Sequence, residues 1–170
     1  MRKSQIAGQV FIYIMAAVIF GLVMIYGYKA ISTLVSRGND VALIQFRADI
    51  TSAIQRISSS SDARRLELSI PSKFRQVCFV DSYERDRRAP GFDESPPAQR
   101  PADLDAVIYD SWADRAPQDV FLLPSSEFQI FAGNIEIAPP HYLCVNVISG
   151  RIALRLEGRG DHALVSQWQG

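Results

Sequence analysis

The chain has 170 residues, 48% of them hydrophobic and 21% charged, with 18 basic side chains balanced by 18 acidic ones. That composition belongs to a folded chain and excludes a disordered or collagen-like one, while the length admits one ordinary domain and hardly two. Zero net charge excludes a generally basic nucleic-acid binder.

The first element is an uninterrupted apolar run from Val10 to Tyr28, VFIYIMAAVIFGLVMIYGY, with no charge, Pro, Asn or Gln. As a helix it spans roughly 28 Å at the usual rise per residue, close to the thickness of a bilayer's hydrocarbon core. Lipid offers no hydrogen bonds, so a helix is the form that satisfies the backbone. Phe11 and Tyr13 near one end, and Tyr26 and Tyr28 near the other, suit the two membrane interfaces. A buried core helix is rarely so long and so evenly apolar. The run is also longer than a secretory signal core and is followed by Lys29 rather than a small-residue cleavage site, which favours a retained anchor.

The charges set the expected orientation. Residues 1–31 carry three basic side chains and no acid, whereas residues 32–170 carry 15 basic and 18 acidic side chains. Arg2 and Lys3 precede the run; Lys29 and Arg37 follow it, partly offset by Asp40. The positive-inside rule then predicts a cytoplasmic N-terminus and an extracellular remainder. Ala17 and Gly21 form a small-xxx-small pair, a candidate face for packing against other membrane helices.

From Asp40 to Ser58 the apolar residues Leu43, Phe46, Ile50, Ile54 and Ile57 recur at spacings of three and four. This predicts an amphipathic helix with one buried stripe. Gly38-Asn39 predicts a kink or break before it, and Ser58 to Asp62 end the pattern.

A short basic start, a hydrophobic helix, an amphipathic helix and a β-rich remainder resemble type IV pilins and pilin-like proteins. The string Ala7-Gly8-Gln9-Val10 resembles the archaeal class III signal peptide. The resemblance implies cleavage by a prepilin-type peptidase between Gly8 and Gln9 and helix-mediated contact with other subunits. It covers about the first sixty residues. The family usually has Lys or Arg before the Gly and often Glu at the fifth mature position; this chain has Ala7 and Tyr13 there. With its LEGRGD segment, the chain as a whole resembles small single-pass proteins of archaea.

All nine prolines lie after residue 70, marking a different structure. Leu66, Leu68 and Ile70 alternate with polar residues, as do Ile152, Leu154 and Leu156, Phe128 and Ile130, and Ile135 and Ile137, each predicting a half-buried strand. Residues 74–80, 120–123 and 142–148 are apolar on both faces, as covered strands are. Ser149-Gly150 and Gly158-Arg159-Gly160-Asp161 read as turns. A short helix is predicted near 102–112, and residues 82–102, charged and Pro-rich, read as a mobile loop. The predicted fold is therefore α+β: an N-terminal transmembrane helix (1–31) continuing into an amphipathic helix (32–62), then a mostly antiparallel sheet or sandwich (63–170).

Cys78 and Cys144 both fall in predicted buried strands; a disulfide and two inert thiols are both open readings. A metal site from Cys78, His141, Cys144 and His162 is disfavoured, because positions 141 and 144 face opposite ways on a strand. Asp103, Asp105, Asp110 and Asp114 lack the spacing of a calcium loop. No nucleophile elbow or phosphate loop is present. The expected protein is a membrane-anchored, pilin-like structural or assembly protein of the cell surface. Neither an enzymatic activity nor a cofactor is expected. Its expected partners are the lipid bilayer and other pilin-like subunits or copies of itself, with no nucleic acid. The alternative is a tethered ectodomain that binds a ligand or partner protein, and an extracytoplasmic enzyme ranks last.

Overall fold

The computed structural model describes residues 4–83, 96–124 and 128–168. Among them the elements are α1 (Ser4–Ser58), β1 (Ala63–Ser69), β2 (Gln76–Val80), α2 (Ala106–Ala113), β3 (Val120–Leu123), β4 (Ile135–Glu136), β5 (Tyr142–Asn146), β6 (Arg151–Gly158) and β7 (Ala163–Gln167). The chain divides into two compact units, residues 1–41 and 42–170, and α1 contributes to both. Where the sequence predicts a kink or break at Gly38-Asn39, α1 runs on uninterrupted. One helical Gly costs only about 1 kcal/mol relative to Ala, and starting a new helix demands a fresh nucleus.

In the second unit the strands form two open sheets, one ordered β1-β6-β7-β4 and the other β3-β2-β5. Every pairing is antiparallel except the short parallel pair of β4 with β7. The amphipathic stripe supplies the inner cover. Leu43, Phe46, Ile50, Ile54 and Ile57 are all buried, and they share one core with Val77 and Phe79 of β2, Leu154 and Leu156 of β6, and Val165 of β7. The alternation on β6 is strict, with Ile152, Leu154 and Leu156 inside and Arg151 and Arg155 exposed.

β2 is buried on both faces because a second layer lies on its other side. Cys78 and Val80 join Phe121 and the α2 residues Ile108 and Trp112 in a separate apolar cluster. Asp105 caps α2, its carboxylate accepting from the Val107 amide at 2.8 Å, which satisfies one of the helix's orphan donors. The Trp112 indole, wholly buried, donates to the Asp81 carbonyl at 3.1 Å.

Two glycines settle how β6 is entered and left. Ser149 and Gly150 both have positive φ, 51° and 72°, and Ile148 and Arg151 exchange backbone hydrogen bonds around them. That is the primed turn whose twist suits joined antiparallel strands. Gly158, read from sequence as part of a turn, is instead the buried last residue of β6. A Cβ there would run into the backbone oxygens of Ile57 and Ser60, so glycine is required by the close approach of the α1 end.

The strand expected around Phe128 and Ile130 is reduced to one bridge, Ile130 with Val120. That stretch passes the edge of β3, and Asp119 holds it: its Oδ1 accepts from the Ala132 amide at 2.7 Å. Within the expected 82–102 loop, Ser82 is buried and donates to the Gly133 carbonyl at 2.9 Å. Residues 84–95 lie outside the described residues.

Candidate functional site

The most extensive exposed apolar surface among the described residues is that of α1. The helix is long and apolar enough to cross a membrane. Every large apolar side chain that the structure describes from Phe11 to Val35 is exposed, Phe20 at 64% and Ile25 at 64% among them. In water a continuous apolar surface of this extent is unfavourable at about 25 cal/mol per Å². Lipid tails or other apolar helices remove that cost. Ala17 and Gly21 lie four residues apart, on one helix face. A Cβ added at Gly21 or Gly27 would meet nothing within 4 Å, so neither glycine is required by a contact inside this chain. Gly8 and Gln9 lie in the helical backbone of α1, and the surroundings of their side chains lie outside the described residues.

The second feature is the disulfide between Cys78 and Cys144. The two residues sit directly opposite each other on β2 and β5. The pairing settles the question that the sequence leaves open, and it removes both sulfurs from any set of metal ligands. A structural disulfide suits an oxidising compartment.

The histidines have partners of their own. His162, 8% exposed, lies between Asp161 Oδ1 at 2.6 Å from Nδ1 and Glu136 Oε2 at 2.7 Å from Nε2. Tyr83 stacks on its ring with centroids 3.6 Å apart, and the Tyr83 hydroxyl donates to Asp161 at 3.2 Å. The ring nitrogens point to different carboxylates, so this cluster clasps β4, β7 and the end of the β2 segment together rather than converging on one ion. His141 sits apart, its Nδ1 3.7 Å from the buried carboxylate of Asp81. Among the described residues no group of three or more His, Cys, Asp or Glu side chains is arranged to hold a metal.

Two of the acidic residues singled out from sequence, Asp103 and the α2 cap Asp105, have side-chain roles. Asp103 accepts from the Tyr142 hydroxyl at 2.7 Å. Burial, reinforced by this hydrogen bond and the charge of Asp103, pushes the Tyr142 phenol up to about 12. The Asp114 amide donates to the Asp110 carbonyl at the end of α2. In the Arg159-Gly160-Asp161 turn, Arg159 pairs with Glu157 at 3.2 Å, Gly160 takes a φ of 99° and Asp161 holds His162.

Sequence reasoning missed the His162 clasp and the cavity shared by Arg56 of α1 and Arg64 of β1. Comparison with protein-family models, curated proteins and solved structures finds no match.

Proposed function

We propose that the chain is a membrane-anchored, pilin-like surface protein with a structural or assembly role. In this reading α1 crosses the bilayer from a cytoplasmic N-terminus, and the disulfide-locked β unit faces outward. The observation that carries it is the exposed apolar surface of α1 from Phe11 to Val35, which belongs to the same helix as the buried stripe from Leu43 to Ile57. One end of the helix is thus built for an apolar environment and the other for the core of a folded unit. The pilin-like part rests on the resemblance of the first sixty residues, and self-association runs through the face holding Ala17 and Gly21.

Mass spectrometry of the protein from its native membrane tests this reading. A chain beginning at Gln9, recovered with sedimentable filaments or crosslinked oligomers, is expected. A chain that retains residues 1–8 and stays monomeric under crosslinking would contradict the pilin-like reading and leave a simple tethered ectodomain.

A further inference from the structure

A cavity of about 440 Å³ opens between the C-terminal end of α1 and β1, entirely within the second unit. That volume falls in the range of small-ligand sites. Its apolar lining comes from Ala53, Ile57, Leu66 and Leu156. Ile57 and Leu156 are buried, and Ala53 and Leu66 pack against the same core, so this wall is fixed. The charged side chains turned to it are Arg56 and Arg64, both exposed; Arg65 also borders the cavity, but it follows Arg64 on β1 and its side chain faces the other side of the sheet.

These arginines are only partly engaged. Arg56 donates through Nε to the Ser52 carbonyl at 3.1 Å. Arg64 reaches Asp62 at 3.5 Å, an exposed and long contact of little energetic weight. Arg65 pairs with Glu67 and lies over the Trp168 ring at 5.2 Å. The last two carbonyls of α1 do not need these side chains. Ile57 accepts from the Ser60 amide and hydroxyl, and Ser58 accepts from the Gly160 amide. Arg56 and Arg64 therefore keep terminal guanidinium donors for a ligand. Planar guanidinium groups match carboxylate and phosphate oxygens in pairs.

We infer that this cavity is a binding site for an amphipathic anion: a carboxylate or phosphate head held by Arg56 and Arg64, on a short alkyl stem lying against Ile57, Leu66 and Leu156. The inference is independent of how α1 is used in the membrane. The head and stem are both required. A bare anion leaves the apolar wall wet, and a neutral stem leaves the cationic side unmatched.

Isothermal titration of the full chain in phosphatidylcholine nanodiscs tests the site with butyl phosphate, hexanoate, inorganic phosphate and butanol. Butyl phosphate or hexanoate is expected to saturate with a Kd of about 1 mM or tighter. Inorganic phosphate and butanol are expected to bind at least about tenfold more weakly. The double variant Arg56→Gln/Arg64→Gln is expected to lose at least about tenfold in affinity, with unchanged circular dichroism and an intact disulfide showing that it folds. No saturable binding of either amphipathic anion, inorganic phosphate binding as tightly as butyl phosphate, or a folded double variant binding like the parent would each overturn the assignment.

Discussion

Cys78 on β2 and Cys144 on β5 are direct cross-strand partners, and their disulfide closes a sequence separation of 66 residues. The bond joins the middle strand of the three-stranded sheet to one of its edges, on the face that also packs α2. In the chain-entropy account a loop of that length stabilises the fold by about 4 kcal/mol, through restriction of the unfolded chain. The double variant Cys78→Ala/Cys144→Ala should lose about that much in urea unfolding, and the parent should migrate differently with and without reductant. Equal stability of parent and variant would show that the bond constrains nothing.

The stripe on α1 gives a sharper contrast. Phe46 is 1% exposed and Ile44, two residues away, is 60% exposed. Phe46→Ala should destabilise the β unit by about 3–5 kcal/mol, the transfer and cavity cost of a buried aromatic. Ile44→Ala should change it by less than about 0.5 kcal/mol. Thermal unfolding of the two variants decides, and similar losses for both would mean that the stripe is not the helix's packing face.

Gly158 is a third point of control. The backbone of Ile57 and Ser60 occupies the space that a side chain would need. Gly158→Ala should cost at least about 1–3 kcal/mol, as overpacking does, and should loosen the end of α1 from β6. Hydrogen exchange at the amides of Ser60 and Gly160, which bond to Ile57 and Ser58, should speed up in the variant. A fully stable variant with unchanged exchange would contradict the close approach.

Tyr142 supplies the pH dependence. Its phenol is pushed up to about 12 from the usual 10.0, so the folded chain favours the protonated form. Its contribution is complete below pH 10 and is lost as pH rises through about 12. Urea midpoints measured across that alkaline window should fall less steeply in Tyr142→Phe than in the parent. The same variant should lose about 1 kcal/mol at neutral pH with the hydrogen bond to Asp103. Parallel alkaline profiles would show that Tyr142 is not the group responsible.

Much of this architecture was legible in the residues because it is periodic. The three-and-four spacing from Leu43 to Ile57 marked the buried face of α1 residue by residue, and the two-residue alternation on β1 and β6 marked their inner faces. Residues 120–123 read as a covered strand because both faces of β3 are covered. What escaped was non-local. The His162 clasp gathers Glu136 and Tyr83 from 26 and 79 positions away, and no local pattern announces such a meeting. The alternation of Ile135 and Ile137 marked β4, but not its parallel pairing with β7. Gly158 carried a turn-like signature because the sequence around it is rich in glycine, whereas its reason is the distant backbone of Ile57 and Ser60. Arg56 and Arg64 are eight positions apart, and only the packing of α1 beside β1 puts both at one cavity.

Lysine labelling of intact cells tests the proposed anchoring and orientation most directly. The chain holds three lysines, Lys3 and Lys29 flanking the apolar run and Lys73 in the β unit, where it is exposed. A membrane-impermeant amine reagent followed by peptide mass spectrometry should modify Lys73 in intact cells and leave any retained Lys3 unmodified until the cells are broken. Protection of Lys73 in intact cells, with labelling only after lysis, would contradict an outward-facing β unit and with it the proposed surface role.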